Sequence, residues 1–228
     1  AQAKAKVLGA IRPGITTSEL DRVAAREIKR LGADPSFKGL YGFPATICVS
    51  LNEQIVHGIP SDRRIRDGDL VSVDVGAIVG GFHSDSAFTV GVGEISEEAQ
   101  RLVDATRESL RLGIAQATAG AHVGDISAAV QSYGERLGYG VVRQYVGHGI
   151  GRDLHEDPQV PNYGVKGRGP LLREGMALAI EPMFNLGGWE TTQLDDGWTV
   201  VTADGRLSAH FEHTIIITGS GSDVLTAP

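Results

Sequence analysis

Two apolar segments of the chain share one pattern of hydrophobic and polar positions. Residues 65–74 and 172–181 each open with an apolar residue, an arginine, an acid and a glycine, and each continues into a run of high β propensity. The first segment ends in Asp74 and the second in Glu181. Each run predicts a buried strand with a carboxylate at its end. A single acid in this position is usually a turn or cap residue, whereas two equivalent ones indicate a duplicated fold that brings both acids to a shared centre.

Helical patterns repeat at almost the same spacing. One helix is predicted within residues 14–32 and another within 120–138, each opening with a residue that can cap a helix and ending at glycine. A third helix is predicted over residues 97–117, with Ser96 as its N-cap. One face of it is formed by Leu102, Thr106, Leu110 and Ile114. We therefore expect one α+β unit used twice across a pseudo-two-fold axis, with halves at about 1–95 and 118–228 linked by this helix.

A β-hairpin is predicted around the glycine pair at 80–81, where glycine permits positive φ. In the register that pairs Val79 with Phe82, Asp74 and Asp85 project from the same face as diagonal neighbours. Either acid alone would be interpreted as a surface residue. Two carboxylates about 4 Å apart repel by roughly 4 kcal/mol at an effective dielectric of about 20, so the pair requires protons or cations and favours a metal site.

The segment from 145 to 158 is rich in glycine and contains His148 and His155. Glycines on both sides of His148 allow the backbone and a ligand to approach closely. One histidine alone would ordinarily be a packed or hydrogen-bonded residue. Two histidines within one glycine-rich turn favour a functional role.

A further strand is predicted over residues 208–217, with Glu212 on the face opposite Phe211 and His213. The isoleucines that follow indicate burial, where an unpaired carboxylate is costly. The candidate metal ligands are then Asp74, Asp85, His148, Glu181 and Glu212. Four carboxylates and one imidazole suit a pair of manganese, iron, cobalt or zinc ions and disfavour a thiolate zinc site. Two ions about 3.5–4 Å apart can activate water and polarise a carbonyl, which predicts hydrolysis of an amide or ester.

Composition narrows the classes of partner and compartment. The 228 residues can bury a core as one large domain or two fused halves, and a net charge of −7 argues against broad binding to nucleic acid or acidic membranes. The sequence has no apolar run of membrane-spanning length and no visible signal peptide. Cys48 is the only cysteine, so no internal disulfide can form, which fits a reducing cytosol. The chain begins at Ala1 without methionine, so we expect its natural N-terminus to lie upstream.

These motifs together resemble the methionine aminopeptidases, which are metallopeptidases of the pita-bread fold. Over nearly the whole chain the matching motifs are, in order, His57-Gly-Ile-Pro60, Asp74 with Asp85, Gly147-His148-Gly-Ile-Gly151, His155-Glu-Asp-Pro158, Ile180-Glu-Pro-Met183 and Phe211-Glu-His213. The resemblance implies a single catalytic domain over 1–228, built around a central antiparallel sheet. It also implies removal of an initiator methionine when the second residue is small. The short chain between His155 and Glu212 resembles the bacterial-like type I subgroup.

The resemblance, carried over position by position, implies a role for each ligand. Asp85 and Glu212 would bridge two divalent ions of cobalt, manganese, iron or zinc. Asp74 would complete one ion, and His148 with Glu181 would complete the other. Glu181 would also act as general base and proton shuttle.

The resemblance further implies a substrate side. His57 and His155 resemble histidines that hydrogen-bond the peptide and support the tetrahedral intermediate. The implied methionine pocket consists of Phe43, Cys48, Leu154, Met183 and Trp198. Leu40 stands where some members have tyrosine, and Gly76 where some have threonine. The remaining histidines, interpreted as structural or exposed, are His83, His122, His210 and His213.

Two other interpretations remain. A proline-specific peptidase, aminopeptidase P or prolidase, shares the fold, although such relatives usually carry a separate N-terminal domain and the His57-Gly-Ile-Pro and Ile180-Glu-Pro-Met motifs argue against them. A non-catalytic pita-bread binding protein is the second, and such proteins commonly lose metal ligands that are all present here. For the enzyme we expect a cytoplasmic monomer that acts on peptides and nascent proteins. The resemblance allows a transient ribosome contact, and we expect no membrane and no sequence-specific nucleic-acid partner.

Overall fold

The structure is a computed structural model that describes residues 1–227, in which helices alternate with short antiparallel strands. The helices are α1 (Gln2–Leu8), α2 (Thr17–Arg30), α3 (Glu97–Ile114) and α4 (Val123–Arg136), and a 3₁₀ turn covers Leu40–Gly42. The strands are β1 (Asp34–Pro35), β2 (Cys48–Leu51), β3 (Gln54–Val56), β4 (Leu70–Asp74), β5 (Ala77–Val79), β6 (Phe82–Ser84), β7 (Ala87–Gly91), β8 (Gly140–Val141), β9 (Gly147–Gly149), β10 (Glu156–Val160), β11 (Ala177–Ile180), β12 (Met183–Asn185), β13 (Thr191–Gln193), β14 (Val200–Thr202), β15 (Ser208–His210), β16 (His213–Thr218) and β17 (Gly221–Val224). This mixture confirms the predicted α+β class.

Two sheets, one from each half of the chain, meet at the centre of the molecule. The first has the strand order β2-β4-β7 and the second β10-β9-β11-β16-β17. The peptide N–H of Glu212, beside β16, donates a hydrogen bond of 3.0 Å to the carbonyl oxygen of Ala87 in β7. The other three sheets, each of three strands, are β1-β5-β6, β15-β12-β8 and β13-β14-β3.

The predicted repeat is visible in the way α2 and α4 begin. Both helices have 14 residues, and both start with a capping box, Thr16 with Glu19 in α2 and His122 with Asp125 in α4. Two isolated β-bridges follow the same pattern. One pairs Thr16 with Arg64, ahead of β4, and the other pairs His122 with Leu171, ahead of β11. The predicted helices and their spacing are therefore confirmed.

The third helix is shorter than its pattern predicts. Ser96 is its N-cap and accepts a hydrogen bond from the N–H of Ala99, as expected. Its α-helical part ends at Ile114, however, and the N–H of Ala117 donates to the carbonyl oxygen of Ile114 in a tight turn. This turn carries Ala117 into the core, where it is fully buried.

The helices bury one face of the sheets. A side chain at Gly113 of α3 would meet Val130 of α4 at 3.0 Å and Ile180 of β11 at 3.6 Å, so the three elements are in close contact there. Leu102 and Ile126 are buried in the same core. Each such side chain contributes about 1.5–3 kcal/mol relative to exposure. None of the helices within residues 1–227 is both long and apolar enough to cross a membrane.

One predicted strand and both arms of the predicted hairpin are interrupted in the structure. The strand expected over 208–217 divides into β15 and β16, because the N–H of Phe211 donates to Pro182 and that of Glu212 to Ala87, instead of continuing one ladder. The hairpin keeps its predicted register, with Val79 opposite Phe82, but it divides between two sheets after Asp74. Each interruption lies beside an acid, which places that acid where the chain passes from one sheet to the next.

Candidate active site

All five predicted ligands line one cavity of about 250 Å³ at the meeting point of the two central sheets. Asp74 ends β4, and Asp85 lies between β6 and β7. Glu181 lies between β11 and β12, and Glu212 between β15 and β16. Asp74 is the last paired residue of its strand, and the other three acids lie between strands, so the four side chains reach the centre from different parts of the chain.

Three of the ligands form the tightest group. One ligand atom each from Asp85, His148 and Glu212 lies within 4.8 Å of the others, and all three residues are buried. The Nε2 atom of His148 lies 3.7 Å from Oε1 of Glu181, which adds the fourth donor at this point. Asp74 faces Asp85 across the hairpin, with Asp74 paired to Ala87 and Asp85 two residues before that partner. Sequence positions far apart are thus brought to one centre.

Burial disfavours the charged forms of the four acids at this centre. Burial raises the pKa of Asp74 to about 6. Burial, together with the neighbouring carboxylates, raises the pKa values of Asp85, Glu181 and Glu212 well above their usual range. Buried oxygen atoms of Asp74, Asp85 and Glu212 have no hydrogen-bond partner. Buried polar atoms without partners are unfavourable, and divalent cations would satisfy them, so the donor set fits a metal centre.

His148 is prepared as a ligand by its own backbone. Its Nδ1 donates a hydrogen bond of 2.8 Å to the carbonyl oxygen of Gly149, because a carbonyl can only accept. Burial lowers the pKa of His148 to about 4, so the ring is neutral and its Nε2 carries a lone pair directed at the acids. Fixing the tautomer through the other ring nitrogen is typical of metal-binding histidines.

Thr214 holds Asp85 in place across the two halves. Its hydroxyl accepts a hydrogen bond of 2.9 Å from the N–H of Asp85 and donates one of 2.7 Å to the carbonyl oxygen of the same residue. Both residues are buried. The backbone beneath Asp85 is therefore attached to β16, next to Glu212.

Part of the cavity wall is apolar. Four of the five predicted pocket residues line it, namely Phe43, Cys48, Leu154 and Trp198. The rings of Phe43 and Trp198 meet edge to face, with centroids 5.0 Å apart. Met183 lies outside the lining; it is fully buried behind the wall and packs with Val56, which does reach the cavity.

Phe37 is a lining residue that sequence reasoning missed, and it explains Gly76. A Cβ atom at Gly76 would lie 2.5 Å from Cε1 of Phe37, so a larger residue there would displace the ring. Glycine at this position, where some relatives have threonine, therefore gives Phe37 its place in the wall. The sequence offered Gly76 as a departure from some relatives, but its contact with Phe37 depends on the fold.

The two predicted substrate-side histidines lie at the cavity rim. His57 has a positive φ of 59°, an uncommon conformation for a residue other than glycine, and meets the ring of Tyr145 at 5.6 Å. Burial lowers the pKa of His57 to about 4 and lowers that of His155 as well. The ring of His155 lies nearly parallel to that of the exposed Tyr41, a second lining residue that sequence reasoning missed.

The remaining histidines divide into two groups. His122 caps α4, while Nδ1 of His83 lies 3.0 Å from the Ser36 hydroxyl and Nδ1 of His213 lies 2.8 Å from the Thr226 hydroxyl. His210 differs, because its buried Nε2 has no hydrogen-bond partner and lies 3.9 Å from Oε2 of Glu181. His210 stands two residues before Glu212 in the sequence, but only the fold brings it to Glu181.

The raised pKa values predict how the metal-free protein responds to pH. Acids with raised folded-state pKa values stabilise the fold when protonated, and this contribution is lost as pH rises through those values. The buried histidines oppose this trend only below about pH 6.5, where their unfolded forms take up protons. We therefore expect the Tm of the metal-free protein to fall as pH rises above about 6.5, where the histidines no longer oppose the loss. The increase in Tm on adding Mn²⁺ should be larger at the higher pH. A metal-free Tm that rises over this range would contradict the prediction.

Comparisons with known proteins agree with this geometry. A family model described as metallopeptidase family M24 matches residues 1–219. The methionine aminopeptidase of Clostridium perfringens is 57% identical over 216 residues, covering 95% of this chain and 87% of the relative. The crystal structure of methionine aminopeptidase from Thermotoga maritima superposes with a TM-score of 0.98 at 47% identity, covering 99% of this chain and 91% of that one. The prolidase from Pyrococcus horikoshii is more distant, with a TM-score of 0.80 at 26% identity, and the match covers 99% of this chain and 58% of that one.

Proposed function

Because the chain belongs to metallopeptidase family M24, we propose that its cavity removes the N-terminal methionine from peptides and nascent proteins when the second residue is small. The protein is a metal-dependent aminopeptidase and therefore a hydrolase. One observation carries the assignment: four buried or partly buried carboxylates and His148 line the same cavity as a group of apolar side chains. This pairing puts the chemistry directly beside a binding site for an apolar side chain.

The donor set supports two divalent ions. Asp74, Asp85, His148, Glu181 and Glu212 would together hold these ions. When bound, such ions act as Lewis acids that polarise the scissile carbonyl and make water more acidic. Cobalt, manganese, iron and zinc all suit oxygen ligands combined with one imidazole.

The protein's own residues orient the substrate and move protons. Glu181 takes a proton from the attacking water at a carboxylate oxygen and delivers it to the nitrogen of the departing peptide. His57 and His155, neutral at the rim, donate hydrogen bonds to the peptide and to the oxygen that gains charge in the tetrahedral intermediate. Aligning these groups in one cavity lowers the entropic cost of bringing water and carbonyl together.

Specificity for methionine follows from the apolar wall. Aromatic and sulfur-containing side chains suit a flexible thioether, and the Cys48 thiol lies against Phe43 and Trp198 in one apolar cluster. Burial raises the pKa of the Cys48 thiol, so it remains uncharged. The free amine of the substrate would lie near the acids, which restricts cleavage to the first residue. The second residue would occupy the rim between His57 and the acids, where a large side chain is crowded.

We further propose that the enzyme works in the cytoplasm as a monomer, with a transient ribosome contact bringing it to nascent chains. The single buried cysteine and the absence of a spanning helix in residues 1–227 are compatible with this setting.

Peptide selectivity tests the function. We expect release of methionine from Met-Ala-Ser, Met-Gly and Met-Ser peptides. For Leu-Ala-Ser we expect at least about tenfold lower kcat/KM than for Met-Ala-Ser, because small apolar differences are worth about 10–200-fold. Lys-Ala-Ser, Met-Lys and Met-Trp peptides should show little turnover. Trp198→Ala should raise KM or relax selectivity while metal content stays normal. Xaa-Pro peptides serve as the comparison for prolidase activity. Equal kcat/KM for Met-Ala, Leu-Ala and Lys-Ala would sink the methionine assignment.

A further inference from the structure

His210 is the buried polar side chain at this centre that the proposed mechanism leaves without a role. It ends β15, opposite Met183 of β12, and only 2% of its surface is exposed. Its Nε2 atom has no hydrogen-bond partner. A buried nitrogen without a partner is unfavourable and calls for an explanation.

The backbone of His210 is held firmly. Its N–H donates a hydrogen bond of 2.8 Å to the hydroxyl oxygen of Thr89, and that hydroxyl donates one of 2.8 Å to the carbonyl oxygen of His210. The hydroxyl of Ser72 lies 2.7 Å from the hydroxyl oxygen of Thr89, and the side chains of Ser72, Thr89 and His210 are all buried. Since β15 is attached in this way to β4 and β7, the imidazole is fixed relative to the ligands of the other half.

The carboxylate of Glu181 lies between two imidazoles. Its Oε1 faces Nε2 of His148 at 3.7 Å, and its Oε2 faces Nε2 of His210 at 3.9 Å. Within residues 1–227 no hydrogen bond reaches either oxygen, although the Asn162 amide donates one of 3.0 Å to the backbone carbonyl of Glu181. The backbone of Glu181 is therefore fixed, while its carboxylate lacks a donor.

We propose that His210 is a positioning residue for Glu181, with its Nε2–H donating a hydrogen bond to Oε2 of the carboxylate. An ionised carboxylate only accepts hydrogen bonds, so it selects the tautomer with the proton on Nε2. The separation of 3.9 Å exceeds a hydrogen bond, and a small rotation of either side chain closes it, as catalytic contacts tighten when a site is loaded.

In this arrangement the two oxygen atoms of the Glu181 carboxylate have different roles. Oε1 faces His148, on the side of the proposed ion, and Oε2 is held by His210. Without the His210 donor, Glu181 can turn away both from its ion and from the water it deprotonates. Groups that orient a ligand in this way typically affect metal affinity or activity by about 10–100-fold.

Three substitutions separate a hydrogen-bonding role from a packing role. In H210Q the amide nitrogen reaches the position of Nε2, so a donor to Glu181 is retained. In H210N the amide nitrogen reaches only the position of Nδ1, and H210L has no donor. The Gln and Asn variants are both polar amides and form a matched pair, which decides the question even if H210L fails to fold.

We expect H210Q to keep kcat within about threefold of the unsubstituted enzyme, whereas H210N and H210L lose about 10–100-fold at saturating Mn²⁺, with KM changed less than about threefold. Calorimetric titration of the metal-free proteins with Mn²⁺ should show about tenfold weaker binding for H210N and H210L and near-normal binding for H210Q. An H210Q variant as impaired as H210N, or an H210N variant with unchanged kcat and Mn²⁺ affinity, would overturn the proposal.

This inference rests on the proposed role of Glu181, yet the two can fail separately. Calorimetry needs no turnover, so it tests the contact between His210 and Glu181 whatever the substrate proves to be. Methionine release by the unsubstituted enzyme tests the function alone. Thermal unfolding of the metal-free H210Q and H210N proteins, expected to be equal within a few degrees, checks that packing is matched.

Discussion

Removing divalent ions should abolish methionine release, and adding Mn²⁺, Co²⁺ or Fe²⁺ should restore it. The centre holds four carboxylates whose pKa values are all raised, and buried oxygen atoms of three of them lack hydrogen-bond partners, so the donor set is incomplete without cations. The ions would polarise the scissile carbonyl and make water more acidic, and chelation removes both effects. The measurement is methionine release from Met-Ala-Ser after chelation and dialysis, followed by titration with each ion.

The same titration distinguishes catalytic ions from structural ones. Because the core formed by α3, α4 and the sheets is separate from the cavity, metal-free protein should keep its far-ultraviolet circular dichroism while turnover disappears. His148→Ala removes one ligand and should shift the restoration curve to higher ion concentration. Full activity in protein verified as metal-free would falsify the metal mechanism.

Much of the fold was predictable because its signals are local. Helix caps, terminal glycines and alternating strand patterns are written within a few residues, and their repetition revealed the two-fold organisation. The capping boxes at Thr16 and His122 show the same device used twice. The register of the hairpin was likewise fixed by its glycine turn.

The breaks in the strands were not predictable from such signals. Phe211 and Glu212 continue a good strand pattern, and only tertiary hydrogen bonds to Pro182 and Ala87 end the ladder there. Periodicity describes one strand at a time and does not say when the chain changes sheets. The acids lie at the points where the chain passes between sheets. The positions of these points are therefore the feature that matters most for the site, and local sequence patterns do not predict them.

The surroundings of the site side chains were also only partly predictable from the sequence. The resemblance led to four residues that line the apolar wall, yet Met183 lies behind that wall and Phe37 stands in it. The place of Phe37 depends on the missing side chain of Gly76, which is a contact between distant positions. His210 was interpreted as structural or exposed because no motif includes it; the fold brings it to Glu181.

Glu181→Gln should lower kcat by at least about 10²–10⁴-fold, the usual contribution of a positioned general base. Glutamine keeps the shape of the side chain but cannot take a proton from water, and as a neutral group it binds a cation more weakly. Turnover must therefore be compared at saturating Mn²⁺, where a loss that persists reports the missing base. A loss of less than about tenfold would rule out Glu181 as the base.

His155→Ala is the matched control for this substitution. Its ring lies at the rim, beside Tyr41, so it should slow turnover while Mn²⁺ binding stays near normal. If it loses metal as completely as His148→Ala, His155 is a ligand.

The stability of the metal-free Glu181→Gln variant is a second test. Removing one of four crowded acids relieves repulsion, so this variant should be at least as stable as the parent at pH 8. An inactive variant with a higher metal-free Tm would show that Glu181 is retained for its chemistry, at the expense of the fold.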